Sequence, residues 1–339
     1  MIGSILISSH RGGRPLRPFG FTRLDVAIVL YAAAASLLAW GLATVHARPL
    51  ALAAVAPALV ALAFRARPVA AALSIAVSAT ALRIAYVGIG YSTQVDHARA
   101  AAARAFDGLS PYGVLLPSAT APPEPYVYGP LGLLWWQPGV AIELIAAIAV
   151  TALLIGTGSW LTLAVYSGLP FSVYLTTTGV NDYSPGLLIA AALLIMRTRP
   201  ALGAGLLGFA AAVKPYAAAW FLPAIGYGGW TVAVVLAGAT AFLWSPLLLW
   251  GPGSYVRSVQ LSDTVHPVSA NTLNLPLLRW IALPLALLGL WVRRWDHAVL
   301  LGALVFVTYL FFDRWASLGY WLAVIPAAGM AIESRWAQR

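Results

Sequence analysis

Residues 181–215 read NDYSPGLLIAAALLIMRTRPALGAGLLGFAAAVKP. Two continuous apolar runs, residues 183–196 and 201–213, lie on either side of a short turn that holds two arginines. A half-buried strand would alternate apolar and polar residues, and these runs do not. The stretch therefore predicts two helices that are apolar on all sides, with polar residues only at their ends.

The composition of the whole chain repeats this pattern. Of its 339 residues, 61% are hydrophobic and 9% are charged, whereas a soluble domain is roughly half apolar and a quarter charged. We therefore expect a polytopic, all-α membrane protein, because segments that cross a bilayer must be helices or a closed barrel. We expect a single domain over residues 1–339, with about 12 transmembrane or partly re-entrant helices of roughly 20 residues or fewer. The apolar segments lie at about 24–44, 50–64, 69–88, 131–154, 158–178, 183–196, 201–213, 216–228, 230–250, 276–292, 297–312 and 316–332.

The placement of arginines predicts the orientation, because short cytoplasmic loops are rich in arginine and lysine. Arginines precede the first segment, within residues 1–23, and follow the second, sixth, tenth and last segments. With twelve crossings all of them face the cytoplasm, whereas merging 201–228 into one crossing would put the later ones outside. This placement explains the net charge of +10 without nucleic acid. We expect cytoplasmic termini and two long outer connections, at 89–130 and 251–275.

The first outer connection contains the charged stretch STQVDHARAAAARAFDGLSPYG at residues 92–113. Asp96 opens an alanine-rich segment with strong helix propensity. A carboxylate at the membrane surface is suited to act as a general base; the alternative is a helix N-cap, which accepts a backbone N–H. Arg99, one turn further on, could pair with Asp96 or bind a phosphate. Gly108 and Pro111 are expected to end the helix.

Lys214 is the only lysine of the chain, and Pro215 follows it directly. A charge at the centre of a membrane helix costs roughly 2.5–3.5 kcal/mol. We expect a helix end near the outer surface, with Lys214 facing a cavity as a contact for an anion. The alternative is that its side chain extends to the lipid headgroups. Asn181 and Asp182 form a polar turn between two apolar segments, in which Asp182 or Ser184 could cap the next helix.

Three further features complete the set of candidates. Trp135 and Trp136 are expected in the aromatic belt at the membrane interface. Glu143 lies inside an apolar run, and nothing in the sequence explains it. The chain has no cysteine, and no spacing of His, Asp and Glu is typical of a metal site. We therefore expect no metal and no cofactor.

Together these motifs resemble the membrane-embedded GT-C glycosyltransferases, in particular the polyprenol-phosphate-mannose-dependent α-mannosyltransferases of actinobacterial lipid mannosylation. The first outer connection, VDHARAAAARAFDGLSPYG followed by YVYGPLGLLWWQP, is similar to that family's early loop, except that Gly129 replaces the first of two paired prolines. GVNDYSPGLLIAAALL looks like its Gly-x-Asn-Asp segment, and AAVKPYAAAWFLP like its Lys-Pro segment. The motifs occur in order over most of residues 90–275; the first helices and the last three match by hydropathy alone.

The resemblance implies a fold, a reaction and roles. The GT-C fold would be embedded in a bacterial inner membrane, with the active site on the periplasmic side. Asp96 would deprotonate the acceptor hydroxyl, and attack at the anomeric carbon would invert a β-phosphosugar to an α-linkage. His266 would assist proton transfer or, with Arg257, help Lys214 to neutralise the leaving phosphate. The remaining candidates are Arg99 for the donor phosphate and Tyr112, Tyr128, Asn181, Asp182 and Tyr216 for the substrate cavity.

The partners implied are a polyprenyl-phosphate sugar, membrane lipids and an acceptor that is a glycolipid, a glycan or a protein. Mannose leads as the sugar, and arabinofuranose and glucose stay open. The main alternative function is a membrane transporter or lipid flippase, which would place ionisable residues near the bilayer midplane on broken helices. A structural membrane subunit is a third reading. Release of polyprenyl phosphate together with sugar transfer separates the first function from the other two.

Overall fold

The fold is described from a computed structural model, and it is mostly helical. The structure describes residues 67–85, 87, 93–118, 122–265, 275, 277–312 and 319–338. The basic segment 1–23 and the apolar segments at 24–44 and 50–64 lie outside these residues.

The elements follow one another with short connections. The helices are α1 (Pro68–Ala85), α2 (Thr93–Phe106), α3 (Gly132–Trp135), α4 (Val140–Gly156), α5 (Trp160–Gly168), α6 (Pro170–Thr178), α7 (Tyr183–Met196), α8 (Pro200–Val213), α9 (Phe221–Trp244), α10 (Leu247–Trp250), α11 (Pro252–Val265), α12 (Ala282–Leu288), α13 (Trp295–Phe312) and α14 (Tyr320–Ala337). Short 3₁₀ helices cover Pro215–Trp220, Leu278–Ile281 and Gly289–Trp291. Two antiparallel strands, β1 (Leu115–Leu116) and β2 (Glu124–Pro125), form one small hairpin.

The described residues belong to two compact units. The first takes in residues 67–82 and Thr151–Val173, and its buried side chains are mostly small or aliphatic, among them Ala71, Ala79 and Leu163. The second takes in Arg83–Val150 and residues 174–338. Every candidate site residue that the structure describes belongs to the second unit.

The apolar runs of the sequence locate the helices well, except where glycine or proline interrupts them. α7 and α8 coincide with the runs at 183–196 and 201–213 to within one residue. The run at 131–154 is broken instead, because the chain turns between α3 and α4 at Gly139, whose φ is +73°. Likewise the run at 158–178 is divided between α5 and α6 at Leu169, just before Pro170.

Among the described residues, one helical stretch, Pro215–Trp244, is long and apolar enough to cross a bilayer by length and composition. Gly229 lies inside it with φ 67° and ψ −153°, a backbone conformation that is not helical. The predicted segments 216–228 and 230–250 are therefore separate at this residue. The twelve crossings stay a prediction.

The contacts of α8 show that the chain reverses at Gly229. A β-carbon on Gly228 would lie 3.8 Å from Cβ of Pro200, at the start of α8, and one on Gly208 would lie 3.0 Å from Cβ of Ala239. Residues 230–244 thus run beside α8 in the same direction. Because Pro215 follows directly after the far end of α8, the residues before Gly229 must first travel back along it.

Most of the described arginines at helix ends lie at one end of the second unit. Trp295, at the start of α13, donates its indole N–H to the Leu193 carbonyl in the last turn of α7 (2.6 Å). The Arg197 guanidinium lies 4.7 Å from the centre of the Trp295 ring. Arg294 and Arg335 both pair with Asp296, at 3.1 and 3.3 Å, which joins the start of α13 to the end of α14.

The opposite ends of the same helices meet elsewhere. α7 begins beside Asp182, α8 ends beside Lys214, and α14 begins at Tyr320. The Lys214 ammonium lies 5.4 Å from the centre of the Tyr320 ring. The second unit therefore has an arginine end and, a helix length away, an end that gathers Asp182 and Lys214.

The surface of the second unit is apolar while several charges are buried. Large side chains that are well exposed include Trp230 (82% exposed), Phe242, Leu248, Leu249, Leu277 and Trp291. The buried charged residues include Arg83, Glu143, Asp182 and Lys214. Soluble proteins show the reverse distribution, since their charged residues are almost never fully buried unless paired.

Candidate functional site

Lys214 lies where α8 ends. Its φ of −139° and ψ of 114° are extended, as expected for a residue before proline. The residue is 2% exposed. Its Nζ donates to the Asn181 carbonyl at 3.1 Å, to Asn181 Oδ1 at 2.7 Å and to Asp182 Oδ1 at 2.5 Å. An ammonium has three protons, so these bonds use all of them. Extension of Lys214 to the headgroups is therefore wrong.

Three tyrosine rings surround the ammonium; we call them the tyrosine cage. The ring centres of Tyr128, Tyr216 and Tyr320 lie 5.1, 5.2 and 5.4 Å from Lys214 Nζ. A cation within about 6 Å of an aromatic face is attracted by the ring quadrupole. Tyr216 also donates its hydroxyl to Asp182 Oδ1 at 3.0 Å. The cage and the carboxylate together compensate the charge of a lysine that water does not reach.

Asp182 does not act as the helix cap that its position suggests. It lies at the N-cap position of α7, yet its side chain makes no capping bond to a described residue. Oδ1 accepts from Lys214 and Tyr216, whereas Oδ2 is buried without a hydrogen-bond partner among the described residues. Ser184 lies inside α7 and does not cap it either. Both capping alternatives are therefore wrong.

Glu143 supplies the missing cap from another helix. Its Oε2 accepts the backbone N–H groups of Tyr183 and Ser184, both at 2.9 Å. Its Oε1 accepts the Ser184 hydroxyl at 2.5 Å and the Trp136 indole N–H at 2.8 Å. All four partners donate, which suits a carboxylate with two acceptor oxygens. The acid that the sequence left unexplained thus holds the first turn of α7.

The two tryptophans are part of this network. Trp136 is completely buried, so its assignment to an interfacial belt is wrong. Trp135 is partly buried and donates its indole N–H to the Ser184 hydroxyl at 2.8 Å. A buried indole needs an acceptor for its N–H, and Glu143 and Ser184 are those acceptors here.

The first outer connection packs against the end of α8. The backbone N–H of Gly129 donates to the Val213 carbonyl at 3.2 Å, and that of Leu131 donates to the Ala212 carbonyl at 3.0 Å. The last carbonyls of a helix have no partner within it, and the loop satisfies two of them. A β-carbon on Gly129 would collide with the Ala212 carbonyl oxygen. Close approach of the two backbones therefore requires glycine at this position.

Asp96 lies near this site, and it is not an N-cap. α2 begins at Thr93, so Asp96 belongs to its first turn. Gln94, in the same turn, accepts the backbone N–H of Asn181 through Oε1 at 3.3 Å. The turn that carries Asp96 therefore contacts the residue that binds Lys214. Arg99 is exposed and donates to the Gln137 carbonyl at 3.1 Å.

Tyr112 supports the tyrosine cage from behind. It is buried and donates its hydroxyl to the Tyr128 carbonyl at 3.1 Å. Its ring lies 5.4 Å from that of Tyr255 in α11. Burial raises the pKa of the Tyr112 phenol, and Tyr255 adds to this effect, so Tyr112 stays a donor. Arg257 of α11 is exposed, and it packs at Gly113.

The structure thus assembles some of the predicted residues and leaves others apart. Tyr128, Asn181, Asp182, Lys214 and Tyr216 form one group, which we call the Lys214 cluster. The bonds of Arg99 and the packing of Arg257 that the structure shows lie outside it. Within the part of the chain that is described, no group of three or more His, Cys, Asp or Glu residues could hold a metal ion. His266, Asp313 and Arg314 lie outside the described residues.

Sequence reasoning missed Glu143, Ser184 and Tyr320 as parts of this site. For Glu143 a signal existed, since an acid in an apolar run needs donors. No protein-family model, no curated protein and no solved structure matches the chain.

Proposed function

We propose that the protein is an integral membrane glycosyltransferase of the GT-C kind, with about 12 membrane helices. It would transfer a hexose, with mannose as the leading candidate, from a polyprenyl-phosphate donor to a lipid or glycan acceptor at the outer face. One observation carries the proposal: three separate motifs meet at one place. The loop at Tyr128–Leu131, the Asn181–Asp182 turn and Lys214 are in direct contact, and the first turn of α2 with Asp96 adjoins them.

The apolar surface and the arginine end support the membrane part of the proposal. A surface of exposed Trp, Phe and Leu side chains suits lipid. Arginines at one end of the helices suit the cytoplasmic side. The Lys214 cluster would then face the opposite side, where lipid-linked sugars and an extracellular acceptor meet.

The reaction uses a base and a cation. Asp96 takes the proton of the acceptor hydroxyl while that oxygen bonds to the anomeric carbon, and the bond from this carbon to the donor phosphate oxygen breaks with inversion. Lys214 offsets the charge on the leaving polyprenyl phosphate, a stabilisation that is often the largest contribution to catalysis. Because Asn181 and Asp182 hold all three Nζ protons, a phosphate oxygen binds Lys214 only by replacing one of their oxygens.

A membrane transporter or flippase is the second candidate, and one feature favours it. Lys214 and Asp182 form a buried, closely hydrogen-bonded pair at a break between two helices. Transporters place paired ionisable residues at such breaks.

The deciding experiment uses the purified protein in lipid with polyprenyl-phosphate mannose and a mixed mannolipid acceptor. Asp96→Asn is compared with Asp107→Asn, an exposed carboxylate just after the end of the same helix. We expect sugar transfer with release of polyprenyl phosphate, a loss of about 10²–10⁴-fold in Asp96→Asn, and wild-type rates in Asp107→Asn. Equal activity in both variants would remove Asp96 from the reaction. Movement of the lipid across the bilayer without bond cleavage would favour the transporter.

A further inference from the structure

Glu143 and Asp182 divide two tasks that one residue performs in most helices. An N-cap aspartate ordinarily binds the backbone N–H of the second or third residue of its helix. In α7 these residues are Ser184 and Pro185, and proline has no N–H. The Ser184 N–H is therefore the one ordinary capping partner for Asp182, and Glu143 already holds it.

We propose that Glu143 is a positioning residue that keeps Asp182 on Lys214. By capping α7 from α4, Glu143 leaves the Asp182 carboxylate without a capping partner, and that carboxylate turns to Lys214 and Tyr216 instead. Without Glu143, the Ser184 N–H would be left buried and unsatisfied, which is costly. The nearest remedy is rotation of Asp182 back to the cap, and this rotation releases Lys214.

The position of Glu143 suits this role. It is completely buried, and its four donors come from the loop before α4 and from the first turn of α7. Trp135 donates to the Ser184 hydroxyl, so that hydroxyl is directed to donate to Glu143. The network therefore fixes α7 against the loop at residues 128–137, whose Tyr128 is part of the tyrosine cage.

The chain offers a direct readout, because Lys214 is its only lysine. Acylation of the folded protein by acetic anhydride, located by peptide mass mapping, separates Lys214 from the terminal amine. The series compares wild type, Glu143→Ala, Glu143→Gln and Ser184→Ala. The glutamine variant keeps one acceptor oxygen for the backbone of α7. The Ser184→Ala control removes the hydroxyl bond but keeps both backbone N–H groups.

We expect Lys214 to be protected in wild type and in Ser184→Ala. In Glu143→Ala its acylation rate should rise by about tenfold or more, the factor that corresponds to the loss of a hydrogen bond to a charged group. Glu143→Gln should lie between them. Size-exclusion profiles and helical circular dichroism identify the variants that fold. A folded Glu143→Ala or Glu143→Gln with wild-type protection of Lys214 would overturn the proposal.

That this positioning serves sugar transfer rests on the proposed function, and the two can fail separately. Acylation needs no substrate, so release of Lys214 in Glu143→Ala supports the positioning role even if wild type transfers no sugar. If wild type transfers sugar and the folded Glu143 variants keep both activity and protection, the proposed function stands and the positioning role falls.

Discussion

A buried lysine is stable only if its surroundings replace the water that it has lost. Lys214 has three oxygen acceptors and three aromatic rings within reach of its ammonium. Asp182 is buried as well, so each charge depends on the other. Removal of one partner should cost more than removal of both, because a single buried charge remains uncompensated.

Lys214→Met tests this dependence. We expect the free energy of unfolding to fall by about 3–5 kcal/mol, measured by chemical denaturation in detergent with tryptophan fluorescence. Addition of Asp182→Asn should recover most of the loss, because no buried charge is then left. Arg199→Met, at an exposed arginine, should change stability by less than about 0.5 kcal/mol. A single variant as stable as wild type would show that the pair contributes nothing to folding.

The sequence predicts part of this residue-scale picture. Lys214 beside Pro215 predicts a helix end with a special lysine, and the structure has the helix end there. The role of Glu143 could not be read from the sequence, because its partners lie 7 and 41 residues away. Trp136 was misplaced for a related reason: an indole suits a membrane interface and a buried acceptor equally well, and only the fold decides which one it meets.

At the scale of elements, continuous apolar runs identify helices but not their interruptions. α7 and α8 have clear ends, marked by charged or polar residues, and the runs predict them closely. The reversal at Gly229 has no polar marker, since apolar residues continue on both sides of it. Such a turn depends on the backbone freedom of glycine rather than on hydropathy.

Gly229→Ala should therefore destabilise the fold through backbone strain alone. No described atom lies within 4 Å of the point where its β-carbon would stand, but φ 67° with ψ −153° is a conformation essentially confined to glycine. We expect a loss of about 1–3 kcal/mol in the same unfolding experiment. Gly238 is the matched control, because it lies in the same helical stretch with equal space and ordinary backbone angles.

Gly238→Ala should be neutral or stabilising by about 0.5–1 kcal/mol, as expected for alanine in a helix. Equal effects at the two positions would mean that the chain passes Gly229 as a continuous helix. The neighbouring segments of α8 and α9 would then need another explanation for their parallel course.

At the scale of the whole molecule, the second unit combines an apolar surface with two different ends. Arg197, Arg294 and Arg335 mark one end, and the Lys214 cluster marks the other. Composition predicts the apolar surface, and arginine placement predicts a common side for these residues. Neither reveals which buried polar groups meet at the far end, because that depends on how α7, α8 and α14 pack together.

The proposed orientation places the two ends on opposite sides of the membrane, and the absence of cysteine from the chain makes this testable with single substitutions. Asp107→Cys lies in the first outer connection and Gln338→Cys just after α14, both at exposed positions. On intact cells a membrane-impermeant maleimide should label Asp107→Cys and should label Gln338→Cys only after permeabilisation. Labelling of both from outside would mean that the two sites share one side, which twelve crossings do not allow. The reverse pattern would put the Lys214 cluster in the cytoplasm, where the proposed acceptor side could not be correct.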